Sequence, residues 1–135
     1  MIIIITLGGV NMNFSRQRES ILNYLKITKT HPTAEEIYSE LKLELPSLSL
    51  ATVYRNCNRL AEAGELLRLD TGGKTHFDAD VSDHQHFVCS ECGRVYDLFF
   101  ELPEETIVGN LPEGFTHNSH RLYFFGVCKN CQLFK

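Results

Sequence analysis

Four of the five cysteines fall into two pairs, Cys89-Ser90-Glu91-Cys92 and Cys128-Lys129-Asn130-Cys131. A Cys-x-x-Cys turn sets two thiolates about one metal radius apart, and a second turn completes a tetrahedron. Four sulfurs at about 2.3 Å are the ligand set of a closed, structural Zn²⁺ site. The competing readings are disulfides or a redox motif, and the reducing compartment expected for a chain with no secretory signal favours metal. The 35 residues between Cys92 and Cys128 exceed a minimal zinc ribbon, so two hairpins of a larger sheet are expected to meet at the ion. Such a small unit should need its metal to fold. Cys57 is unpaired and reads as a small core residue.

A second set of ligands runs directly into the first pair. In His84-Gln85-His86 the two imidazoles alternate, so a strand would point both to one side. Carboxylates lie nearby at Asp78, Asp80 and Asp83. A nitrogen and oxygen set suits Fe²⁺, Mn²⁺, Zn²⁺ or Co²⁺. Spacing alone does not say which carboxylates join it. A third set lies on one helical face, where Thr52, Arg55, Asn56 and Arg59 recur at offsets 3, 4 and 7. These side chains have the donors to reach base edges and phosphates. The bland alternative is a solvated polar face.

Hydrophobic periodicity outlines the helices and strands that carry these groups. A first helix is expected from Ser15 to Lys26, with Ile21, Leu22 and Leu25 on its apolar stripe. A second opens with Pro32 and the capping box Thr33-Ala34-Glu35-Glu36 and runs until Pro46 stops it. A third starts at Ser47 or Ser49, buries Leu50, Val53, Cys57, Leu60 and Ala61, and ends at Gly64. Two alternating runs follow, Leu66–Asp70 and Thr75–Asp78, joined by Thr71-Gly72-Gly73-Lys74. Three helices and a hairpin make a winged helix-turn-helix. The second half shows strand-like runs at His86–Cys89, Arg94–Phe99 and Arg121–Val127, and a short helix over Pro103–Leu111. The fold class is therefore α+β. Residues 13–80 form the winged-helix domain and 81–135 a small α/β metal-binding domain. Residues 1–12 are set apart as an N-terminal extension, because Met12 offers an alternative start.

Composition agrees with two jobs. The chain has 135 residues, 43% of them hydrophobic and 22% charged, which excludes disorder over most of its length. Its net charge of −4 is an average over unlike halves. Residues 1–77 carry nine Lys and Arg against eight Asp and Glu; residues 78–135 carry four against nine. The first half can approach phosphate and the second can hold cations. No apolar run reaches the length of a membrane helix, and the Met1–Leu7 run has no basic flank. The expected location is cytoplasmic, with no membrane partner and no small-molecule substrate.

Taken together, these motifs resemble the ferric-uptake-regulator family of bacterial metal-dependent repressors over residues 13 to 133. The likeness is carried by Ser15-Arg16-Gln17-Arg18, His31-Pro32-Thr33-Ala34 and Ala51-Thr52-Val53-Tyr54-Arg55-Asn56. His84-Gln85-His86, both cysteine pairs, His120-Arg121-Leu122 and Gly126-Val127-Cys128 complete it. The resemblance implies an N-terminal winged helix, a C-terminal dimerisation domain, and a homodimer on AT-rich palindromic double-stranded DNA. It implies a regulatory Fe²⁺ or Mn²⁺, for which Zn²⁺ can substitute, on His31, Asp78, His84, His86 and Asp97. Structural Zn²⁺ would sit on Cys89, Cys92, Cys128 and Cys131. Tyr54 and Arg55 would lie nearest the bases, with Thr52, Asn56 and Arg59 beside them, and Arg16 and Arg18 on the backbone or minor groove.

A further metal site of some members has Asp83, Gln85 and Val127 at its positions here, so it should be missing, leaving His117 and His120 structural or surface roles. Asp97, rather than glutamate, resembles the peroxide-responsive branch, in which bound iron reacts with peroxide and a ligand histidine, here His31 or His84, is modified. Arg55 after Tyr54 resembles the iron-uptake branch. A peroxide sensor is favoured; an iron-responsive repressor or a zinc-uptake regulator is the alternative. A metallohydrolase would leave the third helix unexplained, and a zinc-stapled adaptor would bind no DNA. No enzymatic activity is expected.

Overall fold

The computed structural model describes residues 9–133, with side chains from Arg16 onward. Most of the N-terminal extension expected over residues 1–12 therefore lies outside the described residues. The chain divides after Val81 into two units.

The first unit holds α1 (Gly9–Ile27), α2 (Ala34–Leu41), α3 (Leu50–Glu62), β1 (Leu67–Asp70) and β2 (Thr75–Asp78). Helix α1 begins before the expected Ser15. Helix α2 starts where its capping box places it: Glu36 N–H donates to Thr33 Oγ1, and Thr33 N–H donates to Glu36 Oε1. It ends at Leu41 rather than running to Leu45. Pro46 disfavours a helical Leu45, and the chain tightens into a turn with Glu44 N–H on the Leu41 carbonyl. Leu45 still reaches the core. Helix α3 is capped by Ser49, which accepts from Thr52 N–H. It stops in a Schellman turn: Gly64 takes φ +80, with Gly64 N–H on the Ala61 carbonyl and Glu65 N–H on the Leu60 carbonyl.

The three helices bury Ile21, Leu25, Ile37, Leu41, Val53, Cys57 and Leu60 against Leu66 and Phe77 of the hairpin segment. Phe77, 1% exposed, is among the largest wholly buried side chains. Phe77→Ala is expected to cost about 3–5 kcal/mol, read from urea unfolding of metal-loaded protein. A loss below about 1 kcal/mol would show that this ring is not part of the core. Strands β1 and β2 pair in register from Leu67–Asp78 to Asp70–Thr75. Arg68 donates from Nη1 to Asn58 Oδ1 at 2.7 Å, tying the ribbon to α3. The other edge of β2 meets the entry to α2: Phe77 N–H donates to the Pro32 carbonyl, and Thr33 bridges His76. That contact brings His31 beside Asp78.

The second unit holds β3 (Gln85–Cys89), β4 (Val95–Leu98), α4 (Glu104–Gly109), β5 (Tyr123–Gly126) and α5 (Lys129–Leu133). Its sheet order is β4-β3-β5, with β4 antiparallel and β5 parallel to β3. A parallel neighbour needs a crossover, and the segment containing α4 supplies it. Among the described residues its buried apolar side chains are few: Val88, Cys89, Val95 and Cys128. The architecture is the expected α+β winged helix followed by a small mixed unit.

Candidate metal centres and nucleic-acid interface

The four paired cysteines converge. Cys89 Sγ lies 3.7 Å from Cys131 Sγ, and Cys92 Sγ lies 3.9 Å from Cys128 Sγ. A tetrahedron with metal–sulfur bonds of about 2.3 Å has edges of about 3.8 Å, so these separations match a single ion. The first pair sits in the β3–β4 turn, where Gly93 takes φ +76 and donates to the Cys89 carbonyl. The second pair is not in a hairpin, as expected, but where β5 turns into α5. The parallel placement of β5 puts Gly126 against Cys89, and Ser90 N–H donates to the Gly126 carbonyl at 2.7 Å. The Cys89 thiol is drawn well below its ordinary range by Cys92 and Cys128 N–H groups aimed at its sulfur. Cys128 is lowered, chiefly by a hydrogen bond from Tyr96, while Cys131 is pushed up by sharing a proton with Cys128. The donors around Cys89 and Cys128 thus favour the thiolate, the form that binds metal, at these two positions. Cys57 differs: burial pushes its thiol up to about 12, as befits a core residue.

A cluster of histidine and aspartate side chains lies in each unit. In the first unit His31 Nε2 lies 3.1 Å from Asp78 Oδ2, and Asp80 N–H holds the other Asp78 oxygen at 2.9 Å. His76, two residues before Asp78 on β2, donates from Nδ1 to the His31 carbonyl at 2.6 Å. In the second unit Asp97 Oδ1 lies 2.9 Å from His84 Nε2 and 3.3 Å from His86 Nε2. The register pairs His86 with Asp97 directly. Both rings are buried, His84 stacked on Phe99 and His86 on Tyr123.

The tautomers matter. A carbonyl only accepts, so His84 Nδ1 donates to the Ser82 carbonyl at 2.7 Å. The neutral His84 ring then aims a lone pair at a carboxylate oxygen. Two acceptors facing each other repel unless a proton or a cation lies between them. An imidazole tied back to a carbonyl, with its other nitrogen beside a carboxylate, is the arrangement of a metal-ligating histidine. The donor set around Asp97 therefore fits a divalent cation, and His31 with Asp78 offers one nitrogen and one oxygen of the same kind.

Near this strand, Gln85 Oε1 accepts Leu122 N–H at 2.7 Å, which turns its amide nitrogen toward His120 Nε2 at 3.3 Å. His120 Nδ1 then donates to His117 Nε2, and His117 Nδ1 to Glu104. These residues form a directed hydrogen-bond chain.

The face of α3 is narrower than its sequence suggests. Tyr54, Arg55 and Arg59 are exposed, as are Arg16 and Arg18 on α1. Thr52 and Asn56, expected beside them, are buried. Both α1 and α2 pack on α3, so its inward stripe widens to include them. Thr52 Oγ1 instead contacts Ser49 Oγ and accepts from Arg55 Nη2 at 3.3 Å. Sequence reasoning also missed Glu35, whose Oε2 accepts the Tyr54 O–H at 2.7 Å. That bond is the main cause of a lowered Glu35 pKa and a raised Tyr54 pKa. Glu35 carried only a capping signal in the sequence. His76 could have been found from its two-residue spacing to Asp78.

The profile of the Ferric uptake regulator family matches residues 9–125. A peroxide-responsive repressor, PerR, of Staphylococcus aureus (strain USA300) is 35% identical over 133 residues, covering 96% of this chain and 88% of that protein. The crystal structure of a Campylobacter jejuni peroxide stress regulator is similar with a TM-score of 0.70 and 33% identity, covering 97% of this chain and 100% of that one. The Helicobacter pylori ferric uptake regulator Fur, described as having three functional metal-binding sites, aligns with a TM-score of 0.74 and 27% identity over 87% of this chain and 80% of that one. The chain belongs to the ferric uptake regulator family.

Proposed function

We propose that this protein is a metal-dependent transcriptional repressor that senses peroxide through a regulatory cation. One Fe²⁺ or Mn²⁺ would take His31 and Asp78 from the first unit and His84, His86 and Asp97 from the second. Zn²⁺ would occupy the four-cysteine centre and staple the second unit. The observation that carries the reading is the Asp97 carboxylate shared by two buried imidazoles, one of them tied back to a carbonyl. A cation bound to both units ties the DNA-reading helix to the other unit. It biases DNA affinity only by its preference for the state in which all five ligands are in reach.

A homodimer on an AT-rich palindrome of double-stranded DNA follows from the family, with Tyr54 and Arg55 toward the bases, Arg59 beside them, and Arg16 and Arg18 on the backbone or minor groove. DNA as the ligand implies a cytoplasmic protein, and no described helix is long and apolar enough to cross a membrane. The aspartate at position 97 and the likeness to peroxide-responsive relatives support the peroxide branch. Arg55, exposed on α3, supports an iron-level sensor as the second reading.

His31, Asp78, His84, His86 and Asp97 would hold the Fe²⁺, which when bound would supply reducing electrons to peroxide, and the His31 or His84 imidazole would take up the oxygen. The test is DNA binding followed by fluorescence anisotropy with zinc-replete protein. It is loaded anaerobically with Fe²⁺ or with Mn²⁺ and then given stoichiometric hydrogen peroxide. The Fe²⁺ form alone should release DNA, and His31 or His84 should gain the mass of one oxygen. Both forms holding DNA would establish the iron-level reading. Indifference to metal would overturn the regulatory site.

A further inference from the structure

Tyr54 offers a base-facing group whose hydrogen-bonding sense is decided by a residue on another helix. Its phenol O–H donates to Glu35 Oε2 at 2.7 Å. Glu35 lies in the first turn of α2, where its negative charge suits the helix N-terminus. The nearby Lys74 of the hairpin turn also favours the ionised form. An ionised carboxylate can only accept, so the single Tyr54 proton is committed to Glu35. What Tyr54 can offer a base is the phenol oxygen's lone pairs and the ring itself. In the major groove a lone pair matches the amino groups of adenine and cytosine. It opposes guanine O6 and N7 and thymine O4, while the ring can meet the thymine methyl.

We infer that Glu35 is a specificity-positioning residue: by taking the Tyr54 proton it makes Tyr54 a hydrogen-bond acceptor toward the DNA bases. The inference rests on α3 being the DNA-reading helix. Glu35 acts through Tyr54, so its effect is on base preference. Its charge, set among phosphates, otherwise changes affinity uniformly.

The test uses full-length, zinc-replete, Mn²⁺-loaded protein as wild type, Glu35→Gln, Tyr54→Phe and the double variant. Each selects from a pool of duplexes with a randomised core, and the bound fraction is sequenced. Circular dichroism checks that all four keep the same helix content. At one position of the enriched motif the wild type should favour amino-bearing bases by about fivefold, the worth of one neutral hydrogen bond. Glu35→Gln should bring that ratio to about twofold or less, because a carboxamide can donate to the phenol oxygen and free its proton. Tyr54→Phe should abolish the preference, and the double variant should match Tyr54→Phe. An unchanged motif in Glu35→Gln would overturn the inference while leaving the DNA reading intact. So would a Glu35→Gln effect that persists in the Tyr54→Phe background. A wild type that enriches no motif overturns the DNA reading itself, and the inference with it.

Discussion

Replacing Cys92 with serine, or stripping the protein with a strong thiol-competing chelator, is expected to unfold the second unit and leave the first folded. The reason is the imbalance between the two cores. The first unit packs three helices and a hairpin around a dozen buried apolar residues, led by Ile21, Ile37, Val53 and Phe77. The second buries Val88, Val95 and two of the cysteines, and its most buried ring is His86. So small a core cannot offset the entropy of ordering its chain. A structural Zn²⁺ contributes roughly 10–16 kcal/mol at neutral pH, and that binding energy is folding energy. Serine at Cys92 would break the Cys92–Cys128 edge of the tetrahedron. The check is amide hydrogen exchange with and without chelator. Protection in β3, β4 and β5 should vanish, while protection in α2 and α3 persists. Retained protection in the sheet would show that the sulfurs do not hold the unit together. Acid should act in the same direction, because protons compete with metal for the thiolates.

Asp97→Ala should abolish the metal dependence of DNA binding with little effect on folding. Asp97 is partly exposed and stands outside the cysteine cluster, so its removal leaves the sulfur centre intact. What it removes is the oxygen shared by His84 and His86. A cation with a hundredfold preference for the DNA-competent state supplies about 2.7 kcal/mol of bias. Losing a ligand common to both imidazoles should erase most of that gain. The measurement is operator affinity by anisotropy across a Mn²⁺ titration, with zinc content and the thermal transition as controls. In the wild type, metal should tighten binding about a hundredfold; in Asp97→Ala the effect should be about twofold or less. A variant that still responds fully to Mn²⁺ would remove Asp97 from the regulatory site.

Much of this was legible because the signals were local. Ser49 and Thr33 cap helices with groups three residues away, and Gly64 terminates α3 through its own positive φ. The hairpin follows from alternating runs on either side of a Gly-Gly turn. Long-range features were not legible in the same way. Helix α5 spans five residues, too few for a helical period to register. The parallel pairing of β3 with β5 leaves no mark on either strand, so the second cysteine pair was expected in a hairpin. Thr52 and Asn56 look like surface residues until two helices pack over their side of α3.

Residue types and their spacing supply the donors: four cysteines in two turns, two histidines in alternation, and a basic helical face. These depend on residue type and on neighbours within one turn. Which donors meet is a matter of long-range packing. Strand register brought Asp97 to His84 and His86, and the β2 edge brought Asp78 to His31. The packing of α2 beside α3 gave the Tyr54 proton to Glu35. Such meetings depend on loop closure and burial across the whole chain, and no local pattern records them.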